Sequence, residues 1–323
     1  MRLFVFFISL LIALTSHSQW TPYPDELERF DYSGDKLQEY WPQLAAATNL
    51  PWPDETYIKN MMRELPQLAD QLHQLAQQEN AHSALKATLN KDYQSLALAV
   101  QHVWRLHFQG QYQQAYELGL TLGPAGLFPA IYAKLIHTTY LINDTELKQQ
   151  KFIEVDQIIS DILPLANNFS FILFGDAYQK ARRLELMSTT AATASGLLGP
   201  TQDSLKQLHQ EDPNNPLYSA MLSGIDAGII QRVGTFVGGM TYGADDDRAI
   251  ELFTQALKKE KRLAVLYHEF AQVLIRLDDS DHDQKLEQAL QACIELSVFS
   301  AEEALNQQGC KRLLTQRLAQ NDD

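Results

Sequence analysis

Glycines, aspartates, histidines and two cysteines are the residues of this chain whose types could do chemistry, and their spacing decides which chemistry is open to them. The stretch GGMTYGADDDRAIELFTQALKKE, residues 238–260, concentrates the first two. A phosphate-cradling P-loop needs Gly, four residues, then Gly-Lys-Ser/Thr. A dinucleotide fingerprint needs a strand ahead of its GxGxxG, so that backbone N–H groups at a helix start can approach the phosphates. Gly234, Gly238, Gly239 and Gly243 have neither that lysine nor a preceding strand pattern.

Asp279, Asp281 and Asp283 alternate as the acids of a calcium loop do, but Gln284 stands at the turn glycine and Leu290 at the bidentate glutamate. Acids at the start of a helix complement its dipole. That is the role expected of this set, and Asp245, Asp246 and Asp247 belong to a turn feeding a helix. HExxH, GxSxG and CxxC are all absent from the sequence. His102 and His107 stand five apart, and His268 and Glu269 are adjacent, so neither pair shares a helix face. No catalytic residue, metal or cofactor is expected, and the aromatic stripe around Trp104 reads as core.

Cys293 and Cys310 lie in two helix-like segments separated by Ser-Val-Phe. The second segment opens with Ser300 and Glu303 at capping-box spacing, which predicts a helix start there. A hairpin turning about residue 298 sets Cys293 level with residue 304, about six residues and about 9 Å from Cys310. That offset exceeds disulfide reach, so two buried thiols are expected.

The elements that position these residues are helical throughout. Leu96, Val100, Val103, Trp104 and Phe108 recur at steps of three and four, as do Leu147, Phe152, Val155, Ile159 and Ile162. No run alternates at a period of two. Stretches such as FQGQY, LGPAG, LINDTE and EDPNNP punctuate the pattern, predicting an all-α array of roughly twelve to fourteen helices with short links. At the start, MRLFVFFISLLIALTSHSQW carries one positive charge at Arg2, an apolar run from Leu3 to Leu14, and small residues at Ser16 and Ser18. This is the pattern of a cleaved signal peptide, and the run falls short of the roughly 20 residues of a spanning helix. The expected division is a signal peptide over 1–18, an N-terminal helical region over 19–90 and a repeat region over 91–323. The formal net charge of −14 opposes nucleic acid, and KKEKR at 258–262 reads as a solvated last turn.

Repetition appears in the helical pattern. Ala249, Phe253 and Ala256 form a small, large, small stripe, Gly110 and Tyr112 precede Ala115, and Pro213 stops a helix before a restart. These residues resemble positions of the tetratricopeptide repeat, over about 180 residues of degenerate copies. The resemblance implies an α-solenoid of stacked helical hairpins. The segments IIQRVGTFVGGMTYGADDDRAIELFTQAL, LYHEFAQVLIRL, FPAIYAKLIHTTYLIND and FSFILFGDAYQKARRLELM are similar to those of a group of exported bacterial tetratricopeptide-like proteins. That likeness implies fold and a periplasmic or secreted location, and no activity. A more distant resemblance is to the periplasmic tetratricopeptide component of substrate-binding-protein-dependent (TRAP-type) transporters, from which this chain departs by having no lipoprotein cysteine after its apolar run.

Leu208 and Ala256 stand 48 residues apart where successive repeats space equivalent positions at 34, an excess of 14. The excess is expected in RVGTFVGGMTYGAD, the least helix-prone stretch. Its apolar residues are expected to pack back onto the groove or form a partner surface, with Arg232, Phe236, Met240 and Tyr242 as candidate contacts, or else to fill core as an elongated hairpin. The function expected is a non-catalytic scaffold for a protein partner. The alternative is a ligand-binding or transport-accessory protein that cups a small molecule. No stable membrane insertion is expected after signal cleavage, and the mature chain should begin near Gln19 in the periplasmic or secreted fraction. Recovery of the chain from the membrane pellet with Met1 intact would contradict this.

Overall fold

A computed structural model describes residues 20–166 and 169–321. The signal-peptide segment, residues 1–18, lies outside the described residues. Among those described there are sixteen α-helices and no strand. The first four, α1 (Lys36–Leu44), α2 (Glu55–Glu64), α3 (Pro66–Ala76) and α4 (Ser83–Thr88), are short and lean on α5 (Tyr93–Phe108) and its neighbours. The chain continues through α6 (Tyr112–Thr121), α7 (Pro124–Leu141), α8 (Thr145–Ile162) and α9 (Ser170–Glu185). Then come α10 (Thr189–Ser195), α11 (Leu198–Glu211), α12 (Pro216–Tyr242) and α13 (Asp246–Lys259). The last three are α14 (Ala264–Leu277), α15 (Asp283–Glu295) and α16 (Ala301–Asn321). The surplus over the sequence expectation lies in pieces as short as α4 and α10, too brief for a periodicity to register.

The starts of these helices are legible one by one. Asp54, Asp92, Asp144, Asn215 and Asp245 each accept a backbone N–H from the first turn, and Pro66, Pro124 and Pro216 occupy first helical positions. Successive helices from α5 to α9 and from α11 to α16 pack on one another, and alternate ones such as α5 and α7 or α12 and α14 also touch. Phe253 is fully buried between Ala249 and Ala256 and stacks on Phe270 of α14, ring centroids 5.2 Å apart. Small residues flanking the aromatic let α14 approach α13, as the stripe predicts. The opening stretch is the expected turn: Gly243 ends α12 in the left-handed region at φ 65°, and Asp245 caps α13.

The stretch before that turn differs from expectation. RVGTFVGGMTY is helical and belongs to α12, so the excess residues lengthen a helix instead of forming an irregular insertion. Pro216 and the Asn215 cap nucleate the arm before Gly234, while the short arm after it packs at Gly238 against Ile229 and Ile230, a tertiary contact that outweighs the helix cost of its glycines. The helix breaks once, at Gly234, where φ 78° and ψ 161° are open to glycine and strained for other residues. Beyond this kink the second arm folds back on the first. A Cβ placed on Gly238 would stand 3.2 Å from the Ile229 side chain.

The two cysteines require a correction. Cys293 and Cys310 form a disulfide, with Cα atoms 6.3 Å apart. The assumed hairpin about residue 298 fails because α16 does not begin level with the end of α15. Its first turn runs past that end into the core of the other half, where Ala301, Ala304 and Leu305 are buried with residues of α5 and α7. The extended link from Leu296 shifts the register, so that Gln307 Nε2 donates to the carbonyls of Ile294 (3.0 Å) and Leu296 (2.8 Å) at the C-terminus of α15. That displacement brings Cys310 alongside Cys293.

The start of α16 carries the expected capping box. Glu303 N–H donates to Ser300 Oγ at 3.2 Å, and the Glu303 carboxylate accepts from Phe299 N–H. Burial pushes the Glu303 carboxyl up to about 7, against those hydrogen bonds, with the neighbouring Glu302 adding to the rise.

Two predictions follow from this helix. The denatured, unreduced protein should show no free thiol, and reduction should lower stability in urea by about 3 kcal/mol for a loop of this size. Two titratable thiols, or identical melts with and without reductant, would contradict the pairing. Folded Glu303 keeps its proton to about pH 7, whereas the ordinary carboxyl loses it near 4.5. Folding therefore takes up a proton between these values, and this group's contribution to stability falls as pH rises across that window. Glu303→Gln should match wild type at pH 4 and exceed it by up to about 3 kcal/mol at pH 8. Stability curves that run parallel across pH would show the carboxyl to be uninvolved.

Candidate ligand cavity

The helices α7, α9, α12 and α14 do not close on one another completely. Between them lies an apolar cavity that opens to solvent, its empty space about 1430 Å³ with the solvent at its mouth included. Its walls are apolar: Ile131 and Leu135 from α7, Phe171 and Phe174 from α9, Met221 and Ile225 from α12. Both α7 and the first arm of α12 are buried around much of their circumference, so each packs on several neighbours at once and still has a face to spare for the cavity.

Glycines supply part of the space. Gly224 and Gly228 sit one turn apart in the first arm of α12 and both line the cavity. A Cβ on Gly224 would meet nothing within 4 Å, and one on Gly228 only the Arg232 guanidinium at 3.4 Å. Glycine inside a helix costs roughly 0.5–1 kcal/mol relative to alanine. No packing contact at Gly224 requires that loss.

One end of the cavity is charged. Arg182 of α9 is 7% exposed and pairs with Glu185 (3.0 Å) on its own helix and with Glu269 on α14. Arg276 completes the cluster through Glu185 at 2.9 Å. Burial opposes the charge on Arg182, but the two carboxylates outweigh it and hold the guanidinium protonated. Burial likewise opposes ionisation of Glu185, and Arg182 with Arg276 draws its pKa below the ordinary carboxylate value. The Arg182 guanidinium lies 4.9 Å from the centre of the Tyr178 ring, and Tyr178 shares a hydrogen bond of 2.9 Å with Thr139. Burial raises the phenols of Tyr140 and Tyr178, so both are neutral hydrogen-bonding groups in the wall.

The four residues singled out from sequence divide here. Arg232 and Tyr242 line the cavity. Arg232 donates to the carbonyls of Gly228 (3.0 Å) and Leu184 (2.7 Å), tying α12 to the end of α9, and the Tyr242 carbonyl accepts from Gln202 at 3.2 Å. Phe236 and Met240 stand on the second arm of α12, 77% and 76% exposed, and are not among the lining residues. Arg182, Glu185, Glu269 and Arg276 went unpredicted. Glu185 three residues after Arg182 is the one local signal, while the pairs to α14 join residues 87 and 91 apart.

Asp279 accepts from Asp281 N–H at the start of a short 3-10 turn, and no group of three metal-ligating side chains occurs among the described residues. His268 is buried, hydrogen-bonded to Asn306 at 3.1 Å, with burial holding it neutral. Comparison with known families, curated proteins and solved structures finds no match to this chain.

Proposed function

We propose that this chain is an exported, non-catalytic α-solenoid of tetratricopeptide type that holds an apolar small molecule between its stacked helices. The observation that carries the reading is Gly224: a helix-interior glycine facing open space in the wall of an apolar cavity. Concave, largely apolar cavities with a few fixed polar groups are the usual form of small-molecule sites. Here the Arg182 cluster supplies those polar groups, and its charges are mutually compensated, which suits a ligand whose buried part is neutral. The packing of successive helices supports the solenoid, with its last helix returning to α5 and α7, and the disulfide is consistent with an oxidising compartment. Among the described residues no helix is long and apolar enough to cross a membrane, consistent with release after signal cleavage.

A second reading, a scaffold for a protein partner, is favoured by a different observation. Phe236, Val237 and Met240 together present exposed apolar surface on the second arm of α12.

Two variants separate the readings. Gly224→Leu fills the cavity from a position with room for a side chain, so its melting temperature should equal or exceed that of wild type. It should abolish saturable binding of N-phenyl-1-naphthylamine, a neutral apolar fluorophore. Phe236→Ser with Met240→Ser should leave dye binding unchanged. Full dye binding by a folded Gly224→Leu protein would refute the cavity as the site. Loss of a captured protein partner in the double variant alone would favour the scaffold.

A further inference from the structure

A second cleft borders the Arg182 cluster, between α8, α9, α14 and α16, with about 850 Å³ of empty space that includes open solvent. It shares Tyr140, Arg182, Glu185 and Glu269 with the apolar cavity, but its character is opposite. Four cations line it, Lys148, Arg182, Arg276 and Arg312, against two carboxylates, Glu185 and Glu269. The cleft thus holds two positive charges in excess, in a chain whose formal net charge is −14.

The excess can be assigned to particular side chains. Arg182 and Arg276 take up both carboxylates. Lys148 Nζ donates to one protein acceptor, the Thr139 carbonyl at 3.1 Å, and neither Lys148 nor Arg312 has a carboxylate within 4.0 Å among the described residues. The buried Nε of Arg182 also has no hydrogen-bond partner. Burial lowers the pKa of Lys148, and the neighbouring Arg182 and Arg312 lower it further while Glu185 opposes them. His268 in the same wall is held neutral by burial and adds no charge. Gln272 and Gln308 offer amide groups beside it.

Like charges gathered in a partly desolvated cleft cost free energy that an anion seated between them removes. Lys148 and Arg312, two cations without a carboxylate partner in one cleft, suit a compact dianion, and lysine and arginine are the side chains that bind phosphate oxygens. We infer that this cleft is a phosphate site, with Lys148 and Arg312 as its principal contacts. The group can arrive as free inorganic phosphate or as the head of a molecule that carries an apolar tail. The inference stands on the charge distribution of the cleft, independently of the function proposed for the apolar cavity.

Titration calorimetry on the full mature chain at low ionic strength tests it, with inorganic phosphate as the probe. Saturable binding at one site is expected, weakening steeply with added sodium chloride. Lys148→Met and Arg312→Gln should each reduce affinity about tenfold or more, with circular dichroism confirming the fold. Arg312 is exposed at the mouth of the cleft, so its variant decides the matter if Lys148→Met does not fold. Dodecyl phosphate binding more tightly than phosphate, and losing affinity in the same two variants, supports the site and identifies a head group. Equal affinities for the two compounds support the site and identify the free ion. Absence of saturable phosphate binding, or binding that Arg312→Gln leaves unchanged, overturns the inference.

Discussion

The arrangement of this protein depends on the burial of one helical turn, Ala301–Leu305, against helices that precede it by well over a hundred residues. The Glu302 carboxylate accepts the Tyr132 hydroxyl at 2.8 Å and lies 3.6 Å from His107 Nε2. The Tyr32 hydroxyl donates to the Phe299 carbonyl just ahead of the turn. In a plain stack of hairpins each unit touches only its neighbours, and stability is a sum of local terms. Here the end of the chain is fastened to its beginning, so the register of α16 is set by contacts with α5 and α7. The disulfide, the cap that Gln307 places on α15, and the approach of α16 to α14 all follow from that register. Gly309 shows how close this approach is, since a Cβ there would stand 2.5 Å from His268 Nε2.

The same closure shapes the charged cluster. Arg182 and Glu185 stand on α9, Glu269 and Arg276 on α14, and the four meet because the two halves of the chain are held together. Withdrawing such groups from water is costly unless each finds an opposite charge. Every member of this quartet does. The compensation is asymmetric about the shared wall: the apolar cavity sees a neutralised end, whereas the cleft beyond it keeps the unspent charges of Lys148 and Arg312. Two adjoining spaces with opposite chemistry therefore arise from one partition.

Local features of the fold were legible in the sequence because they rest on near neighbours. The capping box at Ser300 and Glu303, the stripe of Ala249, Phe253 and Ala256, and the turn at Gly243 each need only a few consecutive residues. The disulfide was misjudged because its geometry depends on where α16 lands in a distant core. RVGTFVGGMTY was misread because a propensity scale charges each glycine separately, whereas here Gly234 makes the break and Gly238 lets the second arm pack on the first. Half the candidate site residues line the cavity for a reason sequence did not supply: the break at Gly234 leaves Arg232 on the first arm, and of the second arm Tyr242 reaches the wall while Phe236 and Met240 stand exposed.

The helical glycines separate according to what their missing side chains permit. Gly119 and Gly126 allow α6 and α7 to cross closely, for a Cβ on either would stand 2.5 Å from the carbonyl oxygen of the other. Gly309 does the same for α14 and α16, and Gly238 for the two arms of α12. At these positions glycine is offset by packing. Gly199 stands in the exposed first turn of α11, where little depends on its side chain. Gly224 fits neither class, being half-buried in the wall of the cavity it lines and yet touching nothing there. Alanine at that position would favour the helix and fit the space, so stability alone gives no reason for glycine. What glycine preserves is volume, and volume inside an apolar wall matters only if something comes to occupy it.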